Sequence, residues 1–120
     1  MQLDVKSSFK IFAMTKWPNW HNKYPFNDFY INKFVSNEPG VFYIFNYDNG
    51  EIIYFGFAEN LKFELLKLYE MPNSCILDFL KNGFRLGFSY FKALNPKRFY
   101  NQVLESYNKT QHKYPKCQEI

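Results

Sequence analysis

The scarce groups with reactive chemistry in this sequence are two histidines, His21 and His112, two cysteines, Cys75 and Cys117, and two arginines, Arg85 and Arg98. Their spacing assembles no familiar site. Each histidine stands apart from any serine–aspartate pair, which points to a surface or structural role rather than catalysis. The cysteines are not spaced as a metal pair, and no Gly-rich phosphate loop or Cys/His cluster is evident. With no apolar stretch flanked by a cleavage site in residues 1–30, the expectation is free thiols in a reducing, intracellular and cytoplasmic setting. No run approaches the length that spans a bilayer, so a soluble protein is expected.

Charge adds a broad permission. The formal net charge is +4 and the isoelectric point near 9.0, a balance compatible with nucleic acid or another acidic partner. The bases are scattered among acids, so a merely solvated surface accounts for them equally well. Aromatic residues make up 22% of the chain, enough that the core must be built from rings, and the 22% charged fraction argues against disorder. At 120 residues the chain suits one domain with one core.

The elements that must position any site centre on residues 40–56. Gly40-Val41-Phe42-Tyr43-Ile44-Phe45 and Glu51-Ile52-Ile53-Tyr54-Phe55-Gly56 flank Asn46-Tyr47-Asp48-Asn49-Gly50. Asn-Gly between two such runs predicts a hairpin with a tight primed turn. Leu61, Leu65 and Leu68 then predict a helix over residues 59–70, stopped by Met71-Pro72-Asn73. Ser74 is expected to cap a helix over 75–81, and Phe84, Leu86, Phe88 and Tyr90 alternate as a third strand over 84–91. Asn95-Pro96 starts a last helix running to about Lys109, with Tyr100, Leu104 and Tyr107 as its stripe.

Residues 1–38 read as an aromatic extension packing on a domain of residues 39–120. It holds Phe9, Ile11, Phe12, Trp17, Trp20, Tyr24 and Phe26, broken by Pro18 and Pro25, with a short helix over 28–35 capped by Asn27. Two roles stand open: cover for one face of the sheet, or a partner-docking patch.

Gly40-Val41-Phe42 and Tyr54-Phe55-Gly56 resemble the paired motifs of the GIY-YIG nucleases, with Pro39 before the first and Ala58-Glu59-Asn60-Leu61-Lys62 after the second like the usual helix start. The resemblance covers roughly residues 39–116. It implies an α+β fold, a three-stranded and mainly antiparallel sheet flanked by helices. It also implies a phosphodiesterase site of two motif tyrosines, a helix arginine and a glutamate holding Mg²⁺ or Mn²⁺.

Carried across position by position, the implied site is degenerate. Tyr54 matches the second tyrosine, but Phe42 stands for the first and has no hydroxyl. Tyr43 is adjacent, yet neighbouring strand residues face opposite ways. Glu64 stands where the helix arginine belongs, and Tyr69 stands five residues later, where a histidine or similar group is common. Glu105 aligns with the metal-site glutamate, or is a solvated carboxylate paired with Lys109 at i+4. Reversing a unit charge about 5 Å from a phosphate, at an effective dielectric of about 20, turns attraction into repulsion of about 3 kcal/mol. The expectation is a catalytically silent binding module, nucleic acid first among its ligands and a protein partner second. An active, metal-dependent endonuclease is the third reading: Arg85 or Arg98 would replace the missing charge, or Glu64 and Glu105 would share a metal.

Overall fold

Aromatic and β-branched residues dominate 41–45 and 52–55, so this stretch forms strands, and asparagine or proline marks the start of each helix. A computed structural model describes Trp20 and residues 22–119. In chain order these are β1 (Tyr24–Pro25), α1 (Asp28–Phe34), β2 (Gly40–Asn46), β3 (Ile52–Ala58), α2 (Leu61–Glu70), α3 (Ser74–Lys81), β4 (Leu86–Lys92) and α4 (Pro96–Gln111). The strands form one antiparallel sheet in the order β1-β4-β2-β3. The fold is α+β, with a fourth strand beyond the three expected. Tyr24 and Pro25 pair with Phe88 and Gly87 at the sheet edge, where a residue without an N–H is tolerated.

The sheet is covered on both sides, and its two faces hold separate cores. One joins Phe42, Ile44, Phe88 and Tyr90 to Ile31 of α1, Leu61 and Leu65 of α2, and Ile76 of α3. The other joins Val41, Tyr43, Phe55 and Phe91 to Val103 and Tyr107 of α4. Leu86 to Phe91 are therefore all buried, while the expected strand start, Phe84, lies outside β4 and packs its ring on Phe79 at 5.3 Å. Residues ahead of 39 enter both cores: Phe26, Ile31 and Val35 join the first, and Trp20 sits edge-on to Tyr43 and Phe91 at 4.6 and 4.7 Å. Phe9, Ile11, Phe12, Trp17, Pro18 and His21 lie outside the described residues.

Two local features depart from the expected hairpin. Asn46 accepts the Gly50 N–H at 2.7 Å, and its side chain accepts the Asp48 N–H at 2.9 Å, closing a wider turn than a two-residue primed one. Of the turn residues only Gly50 takes a positive φ, +77°. In the strands, Ile44 pairs with Tyr54 but Phe45 pairs with Ile52, so Ile53 is an extra, bulged residue. The bulge lets Ile53 join the first core while Phe55, two residues on, faces the second.

The cysteines correct the free-thiol expectation: Cys75 and Cys117 form a disulfide across a sequence separation of 42. Its cause is tertiary. The segment after α4 turns back along β3 and brings Cys117 beneath α3. The disulfide removes the argument for a reducing compartment, since such bonds persist in oxidising ones. Among the described residues, no helix is long and apolar enough to cross a membrane.

Candidate functional site

Phe42 and Gly56 face each other across β2 and β3. The Phe42 ring lies directly over Gly56: a Cβ there would come within 2.3 Å of the ring tip. Phe42 is 2% exposed, so the position that the resemblance gives to a first tyrosine holds a packed ring, sealed from solvent. Tyr54 packs beside it with ring centroids 6.2 Å apart. Burial pushes the Tyr54 phenol up to about 12, and the charges of Glu119, Tyr100 and Glu64 push the same way. Every electrostatic contributor named here disfavours added negative charge.

Glu64 projects from the first turn of α2, which Asn60 caps by accepting the Phe63 N–H at 3.0 Å. Leu61 and Leu65, both fully buried, aim the helix at the sheet and leave Glu64 on its flank, half-buried. Tyr69 is used in packing, its ring edge-on to Phe26 at 5.6 Å. Phe42, Tyr54, Glu64 and Tyr69 thus share the face covered by α1–α3.

Glu105 does not join them. Val103 and Tyr107 bury the inner stripe of α4 against the second core, and Glu105, midway between them, is turned outward on the opposite side of the sheet. A Glu64–Glu105 metal pair is therefore not formed. Among the described residues there is no group of three or more His, Cys, Asp or Glu that could hold a metal ion. The expected Glu105–Lys109 pair is also missing from the salt bridges of the described residues.

Neither arginine supplies the charge that the resemblance would put at residue 64. Arg85 is held at the hairpin tip, its Nε 3.2 Å from Asp48 Oδ1 and its Nη2 on the same oxygen. Arg98 lies exposed on α4. His112 caps α4 in the left-handed conformation, φ 60°, donating its backbone N–H to the Asn108 carbonyl at 2.8 Å.

Two features escape a reading of the sequence. The first is the segment following α4, which supplies Cys117, Gln118 and Glu119 to the edge of β3 beside Tyr54; only the pair of cysteines hinted at it. The second is the exposed side of α4 and the residues just beyond its cap. Lys97, Arg98, Lys109 and Lys113 are all exposed, Glu105 is the one acid between them, and none of the four is in a salt bridge among the described residues. Spread over 17 residues, they show no block in the sequence: Lys97, Arg98 and Lys109 stand on α4, and Lys113 lies just beyond its cap, His112. No family model, curated protein or solved structure matches this chain.

Proposed function

We propose that this protein is a catalytically silent binding module and that its ligand is nucleic acid, held on the exposed side of α4 and the residues just beyond its cap. The observation that carries this reading is the exposed set Lys97, Arg98, Lys109 and Lys113, with Asn101, Gln102 and Gln111 exposed among them. Cations supply affinity for a phosphate backbone by counterion release, and amides supply hydrogen bonds. The ring of Phe42 over Gly56 and the acids beside Tyr54 support the silent half of the proposal: residue 42 offers no hydroxyl, and the acids disfavour a phosphate there. The degenerate GIY-YIG-like reading of the motifs is consistent with both halves.

The test is a titration of labelled single- and double-stranded DNA and RNA at two salt concentrations. Binding should be weak, tolerant of sequence and steeply weakened by salt. Replacing Lys97, Arg98, Lys109 and Lys113 with glutamine should flatten the salt dependence by up to about four phosphate contacts. The same samples with Mg²⁺ or Mn²⁺ should show no cleavage. Absence of binding at low salt overturns the proposal. Metal-dependent cleavage lost in Glu105→Ala would instead establish the active-nuclease reading.

A second reading has its own observation. Phe29 of α1 and Phe63 of α2 are 60% and 62% exposed, and Lys33 lies over the rings of Phe29 and Phe34 at 5.6 and 5.4 Å. Exposed rings of this kind suit a protein partner. Loss of partner binding in Phe29→Ser, with nucleic-acid binding intact, would favour it.

A further inference from the structure

We propose that the Cys75–Cys117 disulfide is a reducible latch, opened by a dithiol at Cys75, that holds residues 115–119 over the outer edge of β3. β3 is the last strand of the sheet, and an uncovered edge presents unpaired N–H and C=O groups. Here the segment meets those of Ile53 and Phe55. The Cys117 N–H donates to the Ile53 carbonyl at 2.8 Å. Gln118 then imitates a strand with its side chain: its Oε1 accepts the Phe55 N–H at 2.7 Å, and its Nε2 donates to the Phe55 carbonyl at 2.9 Å. The same Nε2 reaches the Tyr100 hydroxyl at 3.0 Å. Side-chain pairing of this kind is short and local, so the covalent link to α3 is what fixes the segment in place.

The two sulfurs differ in access. Cys117 is 3% exposed and belongs to the first core, whereas Cys75 is half-buried on α3. Cys75 also lines a surface depression of about 350 Å³ together with Ser74, Asp78, Phe79, Asn82 and Phe84. A thiolate entering there bonds to Cys75 Sγ, the sulfur–sulfur bond breaks, and Cys117 leaves as a thiolate that takes up a proton. The second thiol of the reductant then attacks the mixed disulfide and releases Cys75. Two electrons and two protons pass from the dithiol, which ends as a disulfide. Residues 115–119 are then held by non-covalent contacts alone, and the edge of β3, with Tyr54 beside it, opens.

The experiment is amide hydrogen exchange on the full chain, oxidised and after native reduction with dithiothreitol. Relative to the core amides of Ile44 and Phe88, those of Phe55 and Cys117 should accelerate at least about tenfold on reduction, the mark of a local opening. Oxidised Gln118→Ala should accelerate Phe55 and leave Cys117 protected. A disulfide that resists dithiothreitol until the protein unfolds overturns the proposal. So does exchange of Phe55 and Cys117 that merely keeps pace with Ile44 and Phe88, which would leave the disulfide no local effect on the segment beyond its effect on global stability. Unchanged Phe55 exchange in Gln118→Ala overturns the part given to that side chain.

Discussion

At the scale of single residues, Gly56 is required by the shape of its neighbour. A methyl group there meets the Phe42 ring within 2.3 Å, and Phe42 is locked in a filled core with no room to swing away. Gly56→Ala should therefore cost about 1–3 kcal/mol, measured by chemical denaturation. Phe42→Leu in the same chain removes the clash, so the double variant should lose less than the sum of the two singles. Tyr54 makes a second prediction, from its phenol raised from 10.0 to about 12, first by burial and then by Glu119, Tyr100 and Glu64. The folded state holds that proton more tightly than the unfolded chain. Its stabilising effect is complete below about pH 10 and is lost as pH rises toward about 12. Denaturation midpoints followed across this alkaline range should fall, and Tyr54→Phe should fall less steeply. That residue 42 carries no hydroxyl and that residue 64 is an acid are legible in the sequence, because side-chain identity alone decides them. That Glu119 and Gln118 stand beside Tyr54 is not legible, because only the return of the chain along β3 brings them there.

At the scale of elements, periodicity located the helices, and caps set their limits. Asn27, Asn60 and Asn73 each accept a backbone N–H three residues on, at 3.0, 3.0 and 2.9 Å, while Asn95 makes no such bond and relies on Pro96. The sequence reading puts the cap of α3 at Ser74, but the structure takes Asn73 as the cap and makes Ser74 the first helical residue. Asn73→Ala should cost about 1 kcal/mol and Ser74→Ala close to nothing, both read from thermal denaturation. The short β1 was not legible, because two residues carry no period and Pro25 reads locally as a breaker. Nor was the bulge at Ile53: alternation puts Ile53 and Phe55 on one face, and the insertion divides them between two. The wider turn has the same origin. Asn49-Gly50 announces a reversal, but the side chain of Asn46 takes the Asp48 N–H and shifts where it closes.

At the scale of the whole molecule, the sheet is a partition. Helices α1–α3 cover one face and α4 the other, so groups that a motif reading would gather at one phosphate stand on two sides. The link across the far edge is the segment after α4, which leaves the second face, passes β3 and is tied to α3 by Cys75–Cys117. A cross-link over a sequence separation of 42 removes freedom mainly from the unfolded chain. For a closed loop of that length, chain entropy gives about 4 kcal/mol at 25 °C. Cys75→Ser with Cys117→Ser should thus unfold at lower denaturant with up to about that loss, and oxidised protein in reductant-free buffer is the reference. The slope of the denaturant dependence should rise in the variant, because its unfolded chain is less compact and exposes more surface. A loss with an unchanged slope would place the effect in the folded state instead, in the packing of the buried Cys117 within the first core.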